Sequence, residues 1–186
     1  MKINRSGKAE ALTKEQYHRV LREIKNSRHR IIFALCWHTT ERPGAILKLR
    51  VENVYRDPSK RLPHDKIVIA GRDRKDRQTR EVPVSLALTQ ELKAFDPPID
   101  GYLFPGKSDA PMTWSAYDKA LRRIFERLGM RGYSTYSTRR GSLTTLARAG
   151  LGMRQIQALS GHATLSSLQR YLDVDDTELQ TAVSML

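Results

Sequence analysis

The chain has 186 residues, enough for one ordinary domain that buries most of its apolar surface. Its 33 lysines and arginines against 20 acidic residues give a formal charge of +13, which argues against a cationic partner and for a polyanion, nucleic acid foremost. The single cysteine, Cys36, excludes an internal disulfide, and no apolar run approaches the roughly 20 residues that span a bilayer, so the expected setting is cytoplasmic, without a membrane.

Thr13 followed by Gln16 reads as a capping box, and Tyr17, Val20, Leu21 and Ile24 continue it as the buried stripe of a first helix. The run from Arg28 to Thr39 reads as a second, more fully buried helix, with Cys36 as a small core residue. Pro43 fits the first turn of a third helix, expected to reach about Leu49. The pattern then changes to three short strands, Val51 to Tyr55, Lys66 to Ala70 and Arg80 to Val84. Between the second and third lies Gly71-Arg72-Asp73-Arg74-Lys75-Asp76-Arg77-Gln78, a charged hairpin loop expected in solvent unless a ligand covers it. Helix resumes from Ser85, breaks at Asp96-Pro97-Pro98 and returns from Thr113 to Leu128. Leu143, Leu146 and Ala147, then Met153, Ile156 and Leu159, stripe two more helices, and Thr164 or Ser166 starts a short one carrying Tyr171.

The chemistry concentrates in Thr39-Thr40-Glu41-Arg42-Pro43, Tyr136-Ser137-Thr138-Arg139-Arg140 and Leu159-Ser160-Gly161-His162, with Tyr171 after them. Cleaving a phosphodiester without a metal requires charge on the non-bridging oxygens to be neutralised by the protein. Two guanidinium forks, on Arg42 and Arg139, can clamp both oxygens. A tyrosine nucleophile has a phenolate that is also a workable leaving group, with pKa near 10, so Tyr171 can form a reversible ester. Lys75, on the hairpin, suits a general acid for the departing hydroxyl, and His162 suits a hydrogen bond to phosphate or proton movement at Tyr171.

Arg42, Lys75, Tyr136-x-x-Arg139, Leu159-Ser160-Gly161-His162 and Tyr171, in this order, resemble the catalytic domain of the tyrosine recombinase (phage integrase) family. The resemblance covers nearly the whole chain, so residues 1–186 are read as a single catalytic domain, without the helical core-binding domain that usually precedes it. It implies an α+β, mostly helical fold with a small antiparallel three-stranded sheet. It also implies site-specific strand cleavage and rejoining through a 3′-phosphotyrosyl intermediate, with catalytic Arg42, Lys75, Tyr136, Arg139, His162 and the nucleophile Tyr171. Arg72, Arg74, Arg77 and Arg140 are expected on DNA. The implied partner is double-stranded DNA, bound as a homotetramer, with a monomer when free, no metal and no cofactor, in a bacterial or mobile-element setting. The tail 172–186 would dock on a neighbouring subunit or pack on its own domain; the residues leave both open.

Three positions depart from the family pattern. Tyr136 stands where a histidine is usual, and Arg140 where a histidine often follows the second arginine. Glu41-Arg42-Pro43-Gly44-Ala45 replaces the usual leucine before the arginine and glutamate after it, so support for that guanidinium is expected from elsewhere. Two further readings stay open: a DNA-binding regulator of the same fold with weakened catalysis, and a type IB topoisomerase-like activity. The five histidines lack metal-ligand spacing, and no glycine-rich phosphate loop or serine or cysteine nucleophile motif stands out.

Overall fold

The computed structural model describes residues 9–74, 76–107, 110–169, 180, 183 and 184. Helix α1, Lys14–Glu23, opens on the expected capping box: Gln16 N–H donates to Thr13 Oγ1 at 3.2 Å, and Thr13 N–H donates to Gln16 Oε1 at 2.9 Å. Its Tyr17 ring stacks at 4.4 Å on Trp37 of α2, Ser27–His38. Helix α2 buries every residue from Ile31 to Trp37, so it runs through the core with no solvent face for much of its length. The other long helices are α4 (Leu86–Ala94), α5 (Trp114–Arg127) and α6 (Ser137–Arg148). All three pack against α2.

The α+β, mostly helical expectation holds, but the strands are arranged differently from the expected single three-stranded sheet. Among the described residues there are two separate two-stranded antiparallel ladders. Strand β1 (Tyr55–Asp57) pairs with β2 (Leu62–Pro63), and β3 (Lys66–Ile69) with β4 (Arg80–Pro83) in register Ile67 to Val82. The stretch from Val51 is a 3-10 turn, Val51–Asn53, because Asn53 and Val54 N–H close back on Arg50 and Val51 carbonyls rather than on a neighbouring strand. Strand pairing begins only where the Asp57 carboxylate, accepting from Ser59 Oγ and Lys60 N–H, folds a tight hairpin. The third helix, α3, is also shorter than expected and ends at Ile46.

Helix α6 lies close to α2 because Gly141 faces it. A Cβ there would come within 2.2 Å of the Leu12 carbonyl oxygen and 2.8 Å of the Trp37 ring. Behind α6, a small cluster of Leu143, Ile156 and Leu168 joins it to α7 (Met153–Ser160) and α8 (Leu165–Gln169). Two tight connections thus meet: the turn from α2 into α3, and the turn out of α7.

Candidate active site

The α2–α3 turn is built to bury a charge. Thr39 Oγ1 donates to the Leu35 carbonyl at 2.7 Å and accepts Glu41 N–H at 3.2 Å, while Thr40 takes a left-handed φ of 55°. This reversal points the Glu41 side chain inward, where the residue is 1% exposed. A carboxylate so far from water requires compensating charge. Four guanidinium groups supply it: Arg80 Nη1 at 2.9 Å and Arg74 Nε at 3.0 Å on Oε2, Arg139 Nη1 at 3.5 Å and Arg42 Nη1 at 3.8 Å on Oε1. The backbone N–H of Arg42 donates to the same Oε1 at 2.8 Å. Support for Arg42 therefore comes from the residue beside it, which corrects the expectation that it lies elsewhere.

Arg139 is wholly buried on the first turns of α6. Besides Glu41, its Nη1 donates to the Thr40 carbonyl, and its Nη2 to the Ser160 carbonyl at 3.2 Å and to His162 Nε2 at 3.0 Å. His162 follows the left-handed Gly161 that ends α7, and Ser160 Oγ lies 2.6 Å from its Nδ1. Burial, then the positive charge of Arg139 and Arg42, pulls the imidazole down to about 3. The ring is consequently neutral near pH 7, accepting from Arg139 at Nε2 and sharing a proton with Ser160 at Nδ1.

Of the residues expected at the site, Arg42, Arg139 and His162 converge on this centre. Tyr136 and Arg42 line one cleft of about 370 Å³ with Lys48 and Trp114, and His162 lines a second hollow, with Arg74 on the wall of both. Arg72 and Arg77 are exposed on the hairpin. Arg140 is buried. Arg74 is buried too: besides Glu41 it bonds Asp76 at 2.9 Å and the Gln78 carbonyl at 2.9 Å, so its charge is held inside. Lys75 and Tyr171 lie outside the described residues, as does the tail 172–186 apart from residues 180, 183 and 184.

Sequence reasoning missed Glu41 and Arg80. Arg80, on β4, also donates to the Thr39 carbonyl at 3.3 Å and to the Leu159 carbonyl, joining the two tight turns. With Glu41 and Asp76 set against Arg42, Arg74, Arg80 and Arg139, the centre keeps an excess of positive charge, which suits an anion rather than a neutral ligand. Among the described residues, no three His, Cys, Asp or Glu side chains gather into a metal-binding group. No helix among them is long and apolar enough to cross a membrane.

A model of the phage integrase family matches residues 10–178. The tyrosine recombinase XerC of Bradyrhizobium diazoefficiens is 31% identical over 119 residues, covering 62% of this chain and 37% of the relative. The XerC of Methylobacterium sp. (strain 4-46) is 34% identical over 123 residues, 63% of this chain and 38% of the relative. The chain thus spans little more than a third of the length of these relatives. The crystal structure of a XerH site-specific recombinase bound to palindromic difH substrate, a post-cleavage complex, superposes with a TM-score of 0.76 at 20% identity, over 98% of this chain and 55% of that one.

Proposed function

The chain belongs to the phage integrase family, and from that premise we propose that residues 1–186 form a catalytic domain that cleaves and rejoins double-stranded DNA at specific sites through a 3′-phosphotyrosyl intermediate. The observation that carries the reading is the convergence of Arg42 and Arg139, from distant chain segments, on one buried carboxylate, with His162 held against Arg139 at 3.0 Å within the same cationic centre.

In the proposed step, a scissile phosphate sits against the Arg42 and Arg139 guanidiniums, which offset the charge that builds on its non-bridging oxygens. The Tyr171 phenol oxygen attacks phosphorus in line, and its proton passes to Nε2 of the neutral His162 imidazole, which Arg139 gives up as its guanidinium turns to the phosphate and whose basicity rises once that negative charge enters beside it. The bond from phosphorus to the 5′ oxygen breaks as the Lys75 ammonium gives that oxygen a proton, releasing a 5′-hydroxyl. Rejoining runs in reverse: a 5′-hydroxyl attacks the ester, the phenol leaves and recovers its proton. One phosphate ester is exchanged for another, so no nucleotide cofactor or metal enters the scheme. Tyr136, which lines the Arg42 cleft, adds a hydrogen bond to phosphate. Arg72 and Arg77, exposed on the hairpin, contribute to holding the DNA backbone, whereas Arg74 and Arg140 are buried and act from inside the domain. Exchange between two duplexes calls for a tetramer on DNA, with the tail 172–186 linking neighbouring subunits.

A randomised pool of duplexes nicked near each candidate cleavage position tests the reading, because the short fragment released after cleavage diffuses away and strands the adduct. Wild-type protein is expected to give a band that carries DNA through a denaturing gel, and Tyr171→Phe none. DNA binding by wild-type protein without any such band would reject strand transfer in favour of a DNA-binding regulator. Supercoil relaxation by monomer without sequence preference would instead favour a topoisomerase-like activity.

A further inference from the structure

We infer that Glu41 is a positioning residue for strand transfer: a single buried carboxylate that sets the spacing and direction of the guanidiniums presented to the scissile phosphate. The inference rests on the strand-transfer reading and names a residue that reading does not use.

The geometry separates this role from simple charge balance. Both carboxylate oxygens are occupied, Oε2 by Arg80 and Arg74, Oε1 by the Arg42 N–H with Arg139 and Arg42 side chains beyond it. These contacts come from the α2–α3 turn, the charged hairpin, β4 and α6, four segments that share no other common ligand among the described residues. The guanidiniums repel one another, and only a central negative charge lets them stand together with a fixed separation. Arg139 is tied on to the turn carrying His162 at 3.0 Å, and Arg80 to the Leu159 carbonyl of the same turn. One carboxylate therefore sets the arginine that starts α3, the arginine of α6 and, through them, the imidazole. The Oε1 that receives the Arg42 N–H also lies 3.8 Å from the Arg42 Nη1, which orients that side chain along the wall of its cleft.

A negative charge beside a phosphate site opposes phosphate binding, so the two accounts give opposite signs. If Glu41 only tempers charge, Glu41→Gln binds DNA more tightly and cleaves it faster. If Glu41 positions the arginines, Glu41→Gln holds DNA at least as tightly as wild type, yet forms adduct from bound DNA at least tenfold more slowly. Single-turnover trapping on the nicked duplex that wild type cleaves, with Kd measured separately, reads this split. Repeating it with a methylphosphonate at the scissile position adds a second readout. That neutral phosphorus centre demands less of the guanidiniums, so the gap between wild type and Glu41→Gln is expected to narrow, whereas a general loosening of the fold slows both substrates alike.

Glu41→Gln cleaving at or above the wild-type rate overturns the inference, as does a parallel loss of binding and rate, or an equal slowing on both substrates. Should Glu41→Gln fail to fold, Glu41→Asp carries the comparison. It keeps the charge but shortens the reach by one methylene, and slower adduct formation at an unchanged Kd is expected, with the wild-type rate overturning the inference. No adduct from wild-type protein rejects strand transfer and the inference with it. Wild-type cleavage with an unimpaired Glu41→Gln rejects the inference alone.

Discussion

Gly161 and Gly129 allow the packing at the candidate site to be measured apart from backbone cost. Both glycines are left-handed, with φ of 64° and 67°, so alanine at either pays a similar conformational penalty of about 1 kcal/mol. Their surroundings differ. At Gly129 nothing lies within 4 Å of an added Cβ, whereas at Gly161 that atom comes within 2.3 Å of Arg74 Nη2 and 2.8 Å of Arg80 Cδ. Long side chains ordinarily give way cheaply, but Arg74 is held by Glu41 at 3.0 Å and Asp76 at 2.9 Å, and Arg80 by Glu41 at 2.9 Å. Moving them breaks buried ion pairs, and overpacking of that kind costs about 1–3 kcal/mol more. Urea denaturation at fixed pH and salt is expected to show a loss of about 1 kcal/mol for Gly129→Ala and about 2–4 kcal/mol for Gly161→Ala, roughly 2–4 °C against 4–16 °C in Tm for a chain of this size. Losses equal within about 0.5 kcal/mol would refute the argument that the α7 turn is packed on a fixed arginine cluster.

His162 gives a pH dependence of known sign. Its folded pKa of about 3 lies below the ordinary 6.5, so the unfolded chain takes up the proton first and stability falls as pH drops from about 6.5 toward 3, by up to roughly 1.4 kcal/mol per pH unit. Urea melts should show a shallower pH slope for His162→Gln over that window, and identical slopes would contradict the buried neutral ring. Arg42→Ala and Arg139→Ala should separate catalysis from folding. The Arg42 side chain is 27% exposed, so its loss is expected to cost stability about 1 kcal/mol or less but adduct formation about a hundredfold, whereas wholly buried Arg139 should cost stability about 3–5 kcal/mol as well. Parallel melts and trapping rates check both, and similar stability losses for the two would count against the burial argument. Of the two tryptophans, Trp37 is in the core and Trp114 is 45% exposed at the Arg42 cleft. Adding duplex DNA should therefore change the emission of the wild type but not of Trp114→Phe, and an unaltered wild-type spectrum at saturating DNA would remove that cleft from the DNA-facing side.

Local signals in the sequence located most elements because they depend on neighbours along the chain. Thr13 with Gln16 fixed the start of α1, the apolar run Ile31 to Trp37 announced a buried helix, and the β3–β4 hairpin followed from short β-branched runs on either side of a charged loop. The division of the strands into two ladders was not legible, since it depends on whether the Val51 segment closes on itself or on a partner. At the site, arginine, tyrosine and histidine types in order carried the resemblance, yet they did not separate a solvated arginine from a buried one. Arg74 and Arg72 sit two positions apart in one charged loop, and only the first meets a carboxylate brought from position 41. Glu41 and Arg80 are 39 positions apart, so their pairing is a property of the folded chain with no local signature.

Strand transfer by this chain turns on a covalent bond at one oxygen. Protease digestion of the trapped protein–DNA complex, followed by mass spectrometry of the nucleotide-bearing peptide, should find the 3′ phosphate of the cleaved strand esterified to Tyr171. A linkage to another residue, a linkage through a 5′ phosphate, or cleaved strands carrying no peptide would contradict it.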